Sequence, residues 1–215
     1  SAIQLIVFSA TFIIMANNRA LFGVLMDRLN LFSLQGATFV LSVYLLLIAI
    51  FSLVFFILGH KYVLKPVLIF FIILSAVLSY FTQELGTIFD VDMIRNVAET
   101  LRDNNQQEAF ELLSFSLLLH IVLYGLLPAL LVVYIEPVFQ APKREFITRV
   151  SCSTVMFLLI GVLVWSNYKF STYFIRENRV VRVYTIPAYP LYALDKYARS
   201  LRQISEVPFK TIGED

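Results

Sequence analysis

Of the 215 residues, 59% are apolar and 15% charged, and the mean hydropathy is +0.79. A soluble domain carries about 45–50% apolar and 25% charged residues, so this composition excludes an ordinary soluble protein and marks an integral membrane chain. A net charge of +2, with the basic residues at helix ends and in the tail, leaves no patch for nucleic acid.

A spanning helix needs about 20 mainly apolar residues. Five runs free of Asp, Glu, Lys and Arg meet or approach that length: Ser1–Asn18, Gly36–Gly59, Pro66–Gln83, Leu112–Ile135 and Val150–Tyr168. The first is short and competes with a signal-peptide reading, but no basic segment precedes it. It is taken as a first span trimmed at its start. The single cysteine, Cys152, lies inside the fifth run, so no intrachain disulfide forms and the thiol reads as a small packing residue.

Five spans put the two ends on opposite sides, and Lys/Arg placement chooses the orientation. Lys61, Lys65, Lys143, Arg144 and Arg149 lie on one side, against Arg19, Arg28, Arg95 and Arg102 on the other. The tail adds Lys169, Arg176, Arg179, Arg182, Lys196, Arg199, Arg202 and Lys210 to the second side. Long trailing segments cross largely regardless of charge, so charge alone does not choose.

The connection from Glu84 to Glu111 has a helical pattern. Asp90 is placed to cap a helix start, and Met93, Ile94, Val97, Ala98 and Leu101 share one face opposite Asp92, Asn96, Glu99 and Asp103. Such a helix lies in the membrane interface, and Asn104-Asn105 is turn-prone. In the tail, Val180 to Val183 is short and β-branched, and Pro187 and Pro190 then interrupt helix formation. Leu191, Leu194, Tyr197, Ala198 and Leu201 resume a helical stripe that Pro208 ends.

The chemistry is sparse. The two histidines, His60 and His120, lie on separate segments, and no pair of histidines or carboxylates has a zinc-ligand spacing. His60 sits at a helix end beside Lys61. His120, inside the fourth run, is either a functional ionisable group or a neutral imidazole hydrogen-bonded to a neighbouring helix. Apart from it the spans carry no charge, which argues against a small transporter or channel subunit; a non-catalytic membrane scaffold is the other rival. Asn96 and Thr100 stand one helical turn apart, so an amide and a hydroxyl can reach one phosphate-bearing ligand, or simply form a solvated face.

The stretch Tyr62-Val-Leu-Lys-Pro-Val-Leu68, then Ser79-Tyr-Phe-Thr82, Gly86-Thr-Ile-Phe-Asp90 and Met93-Ile-Arg-Asn96-Val-Ala-Glu-Thr100, resembles the membrane domain of the phosphoethanolamine–lipid A transferases. That family includes the mobile colistin-resistance enzymes. The likeness returns in Arg182-Val-Tyr184, Pro187, Pro190-Leu-Tyr192 and Lys196, with Ile186 where the family often has Asn.

The resemblance implies an all-α integral membrane fold of five transmembrane helices plus interfacial periplasmic helices. Residues 1–168 would form the transmembrane domain, with the amphipathic helix at about 90–110. Residues 169–215 would form a periplasmic linker to a catalytic domain outside this chain. The resemblance also implies a bacterial inner-membrane location, with the N-terminus cytoplasmic and the C-terminus periplasmic.

In the family, a zinc-bearing periplasmic domain uses a threonine to move phosphoethanolamine from phosphatidylethanolamine to lipid A, which weakens polymyxin binding. This segment alone would then be inactive and hold no zinc, serving to anchor the enzyme and position the lipid donor. The family's donor-contacting Asn, Thr and Glu fall at Asn96, Thr100 and, after an apparent four-residue insertion, Glu108. Asn104 keeps the uninterrupted spacing instead. Each four-residue step turns a helix by about 40°, so Glu108 joins the face of Asn96 only if the helix breaks near Asn104-Asn105.

Overall fold

The computed structural model describes residues 1–102 and 114–206. The described residues form helices with no strand: α1 (Ala2–Asn17), α2 (Arg19–Arg28), α3 (Leu34–Leu58), α4 (Leu64–Glu84), α5 (Val91–Arg102), α6 (Phe115–Tyr134), α7 (Pro142–Glu177), α8 (Val180–Val183) and α9 (Ala188–Glu206). Four of them, α3, α4, α6 and α7, are long and apolar enough to cross a membrane. The α1–α2 pair, bent by 62°, makes a fifth when the two helices are counted together as one broken span. The fold is that of an all-α integral membrane protein.

The spans pack as a bundle in which α3 lies against α7 and α1, α1 against α4, and α4 against α6. Aromatic edges fill the seams. Phe39 of α3 meets Phe170 and Phe174 of α7 at centroid distances of 4.8 and 5.4 Å, and Phe55 meets Phe71 of α4 at 5.3 Å. Such edge-to-face pairs contribute about 0.5–1.5 kcal/mol beyond the area they bury.

Helix α6 approaches α4 at Gly125, where an added Cβ would stand 3.2 Å from the Ala76 Cβ. Small residues permit this closeness in a membrane bundle. Gly125 sits in a single π turn, Val122–Leu126, just ahead of Pro128. Proline lacks an N–H and crowds the carbonyl four residues back, and the wider turn absorbs that strain within an unbroken span.

One span and the tail depart from the sequence expectation. The fifth does not stop at Val150 and Tyr168; α7 runs for 36 residues, from Pro142 at its first turn to Glu177. At 1.5 Å per residue that is about 54 Å, well beyond a hydrocarbon core of about 30 Å. The charges at its ends set where the membrane stops, but they do not break a helix. Val180 to Val183, β-branched by sequence, forms a helical turn, and α9 begins directly after Pro187 with Pro190 in its first turn, where a missing N–H costs little.

Helices α2, α5, α8 and α9 gather at one end of the bundle. There α2 packs on α4, α8 on α2 and α9, and α9 on α5. The α3–α4 and α6–α7 connections form the other end. Here Arg149 of α7 pairs with Glu145 at 2.9 Å and donates to the carbonyls of Phe56 and Gly59 where α3 finishes. Lys65 donates to the Val133 carbonyl at 2.7 Å, near the end of α6. Both cations thus satisfy orphan carbonyls at a negative helix terminus.

The gathered end is tied down at the break between α1 and α2. Asn18 is fully buried. Its Nδ2 donates to the carbonyls of Ile13 (3.2 Å) and Ile186 (2.9 Å), and its Oδ1 accepts the Ile186 N–H at 2.8 Å. One side chain thereby satisfies both backbone groups of a residue 168 positions away. Replacing it, Asn18→Ala, orphans these buried groups at a cost of about 1–3 kcal/mol each. Thermal unfolding of the detergent-purified protein should shift clearly downward, and an unchanged midpoint would mean that Ile186 finds other partners.

Candidate functional site

Helix α5 is the first candidate site. The α4 helix ends where the Phe81 carbonyl accepts from both Leu85 and Thr87, and Gly86 turns the chain at φ 64°, a conformation that suits glycine. Asp90 then caps α5, its Oδ1 accepting the Met93 N–H at 2.9 Å, as the sequence led us to expect. Asn96 is exposed, and so are Asp92, Arg95 and Glu99; Thr100 is half-buried. At about 100° per residue Thr100 lies roughly 20° from Met93, so it borders the apolar face and shares that face's partial burial.

The structure therefore brings Asn96 and Thr100 together on one face, a turn apart. Glu108 and its rival Asn104 lie outside the described residues. The helix is held by α9, whose covered face runs through Pro190 and Ala193, with Tyr197 and Ser200 half-buried along the same line. Leu194 and Leu201 of the expected stripe are each 50% exposed. On a surface helix an apolar stripe need not be the packed face, and these two leucines stand on the outward side. The ion pairs here, Asp92–Arg95 at 3.4 Å and Asp195–Arg199 at 2.8 Å, are exposed and contribute little to stability.

A second polar group lies between α1, α4 and α6. His120 Nε2 is 2.9 Å from Ser79 Oγ, which also donates to the Ala76 carbonyl at 2.9 Å and lies 3.4 Å from Asn17 Oδ1. Tyr80 hydrogen-bonds Ser114 at 2.9 Å, and Arg19 sits 4.8 Å above the Tyr124 ring, itself 4.7 Å from His120. Of the two roles open to His120, the geometry provides the hydrogen bond to a neighbouring helix. Sequence reasoning assigned no role to Asn17, Asn18 or Ser79. Their signal is an Asn17-Asn18-Arg19 close to an apolar run, and Ser75, Ser79 and Thr82 spaced along one face of α4, all buried.

Among the described residues no three of His, Cys, Asp and Glu come together as a metal site. These residues do not fit a zinc ion. What the arrangement offers is an amide and a hydroxyl on a helix held by α9, and a separate hydrogen-bonded group between α1, α4 and α6.

The description "Phosphoethanolamine transferase EptA/EptB" is that of a family model that matches residues 47–201. The chain is 31% identical over 156 residues to the phosphatidylethanolamine transferase Mcr-1 of Escherichia coli, covering 72% of this chain and 28% of that protein. It is 30% identical to Mcr-2 of the same organism, covering 81% and 32%. In structure it resembles the integral membrane lipooligosaccharide phosphoethanolamine transferase A (EptA) of Neisseria meningitidis, with a TM-score of 0.80 and 23% identity, over 96% of this chain and 38% of that one. The chain thus spans about a third of the length of these relatives.

Because Ser79 holds His120 in the core, Ser79→Ala should destabilise the bundle by about 1–3 kcal/mol, by orphaning a buried imidazole nitrogen. Adding His120→Leu should recover part of that loss, since both partners are then apolar. A double-mutant cycle on unfolding midpoints reads this coupling, and simple additivity of the two changes would contradict it.

Proposed function

Because this chain belongs to the phosphoethanolamine transferase family, we propose that it is the membrane domain of an enzyme that transfers phosphoethanolamine from phosphatidylethanolamine to lipid A. The names of Mcr-1 and Mcr-2 support this choice of donor. The added ammonium offsets surface negative charge and so confers colistin and polymyxin resistance. The observation that carries the proposal is the pairing of exposed Asn96 with half-buried Thr100, one turn apart on a helix fixed at the end of the bundle.

In this reading the protein sits in the bacterial inner membrane. The N-terminus is cytoplasmic, and the end built from α2, α5, α8 and α9 is periplasmic. Asn96 donates from its amide to a phosphate oxygen of the donor lipid, and the Thr100 hydroxyl donates to a second. A carboxylate at Glu108 would accept from the ammonium group and complete the recognition of phosphoethanolamine. These contacts hold the phosphorus at one height above the membrane while the diacylglycerol stays in the bilayer.

Zinc, which would activate the attacking threonine, belongs to the catalytic domain of the whole enzyme. The chain described here positions lipid and, by itself, transfers nothing. The chain that follows α7, from residue 178 onward, leads from the bundle toward that domain.

The test is transfer by the full-length enzyme. Each lost hydrogen bond to a charged phosphate costs about 1.5–3 kcal/mol, or one to two orders of magnitude. Asn96→Ala and Thr100→Ala should each lower transfer by that amount with expression intact. Near-normal polymyxin protection in a well-expressed double variant would reduce the two residues to a solvated face.

A further inference from the structure

A cavity of about 370 Å³ opens between α2, α3, α7 and α8, at the gathered end of the bundle and apart from the Asn96 face. Its volume lies within the range of roughly 300–1,000 Å³ usual for ligand pockets. Leu25, Phe39, Leu46 and Phe174 give it an apolar body. The hydroxyls on its wall turn away from any ligand: Ser42 donates to the Thr38 carbonyl at 2.7 Å, Ser171 to Tyr168 at 3.2 Å and Thr185 to Val181 at 3.3 Å. The Asn167 amide likewise donates to Leu163 at 3.0 Å.

One donor is left over. Arg182 lines the cavity from α8, is itself exposed, and makes no ion pair among the described residues. It is also the only charged residue among the described residues that line the cavity. An apolar slot ending in a lone guanidinium has the chemistry of a lipid site, with an acyl chain along the slot and a phosphate at the cation. No carboxylate among the described residues lines it to receive an ammonium group, so the charge balance favours a net-negative head group over a zwitterionic one.

We propose that this cavity binds an anionic glycerophospholipid, one acyl chain lying between α3 and α7 and the phosphate held by Arg182. The site is separate from the donor face and does not depend on the transferase reading. The lipid wedges between the longest helix and the layer formed by α2 and α8, so its presence stiffens the platform that carries α9 and α5.

The experiment is native mass spectrometry of the full-length protein released from nanodiscs of equimolar phosphatidylglycerol and phosphatidylethanolamine with matched acyl chains. Wild-type protein should retain phosphatidylglycerol in preference. Arg182→Gln should reduce that retention about tenfold, the loss of one charge-assisted hydrogen bond, while Arg182→Lys should keep most of it. Ser42→Phe, which fills the slot, should lower retention of either lipid.

Arg182 is exposed, so its replacement should leave the unfolding midpoint unchanged. If Ser42→Phe fails to fold, the Arg182 series decides alone. Equal retention of both lipids by the wild type, or retention of phosphatidylglycerol undiminished in Arg182→Gln, would overturn the proposal. Retention is read without any transfer reaction, so a failed donor-site assignment leaves this test standing.

Discussion

A helix that bends by 62° inside or beside a membrane leaves backbone groups that water cannot reach, and the α1–α2 break must be closed from within. Asn18 closes it. Its amide takes the Ile13 carbonyl on one side and both polar groups of Ile186 on the other. The same three hydrogen bonds that permit α2 to leave the first span also fix where the chain returns after α7. Through that return point α8 is set against α2, α9 follows, and α5 packs on α9. The placement of the Asn96–Thr100 face therefore depends on a residue in a different part of the chain.

The two ends of the bundle solve different electrostatic problems. At the α3–α4 and α6–α7 end, Lys65 and Arg149 satisfy helix-terminal carbonyls. Part of the Lys/Arg excess there stabilises the fold, which is why counting those residues gives a weak reading of orientation. At the opposite end Arg19 lies over an aromatic ring, and Arg182 lines a cavity with no acidic partner among the described residues. A cation with no acidic partner among the described residues is suited to lipid phosphate, and Arg182 stands at the end that carries α5.

The apolar runs disclosed the spans because roughly 20 uncharged residues have few other uses, and Asp90 disclosed α5 because capping is local chemistry. That Asn96 and Thr100 share one helix was legible for the same reason, since they stand four apart after a capping residue. Long-range pairing left no such trace. Nothing near Asn18 names Ile186, and nothing near Ser79 names His120. Helix α2 went unread because only Leu21, Phe22 and Leu25 form its buried stripe. Which face of α9 packs was not legible, because leucine is as much at home against lipid as against protein. Glu108, proposed with its rival Asn104 for the third donor-site position, rests on the resemblance alone.

The central claim is that the polar face of α5 holds the head group of the donor lipid. It can be tested without turnover by placing a photoreactive residue at exposed position 99, between Asn96 and Thr100, in the full-length enzyme. After irradiation in membranes containing phosphatidylethanolamine labelled in its ethanolamine, the protein should carry label. The yield should fall steeply when Asn96 and Thr100 are both replaced by alanine. A yield indifferent to that double replacement would mean that α5 meets only bulk lipid, and would contradict the account.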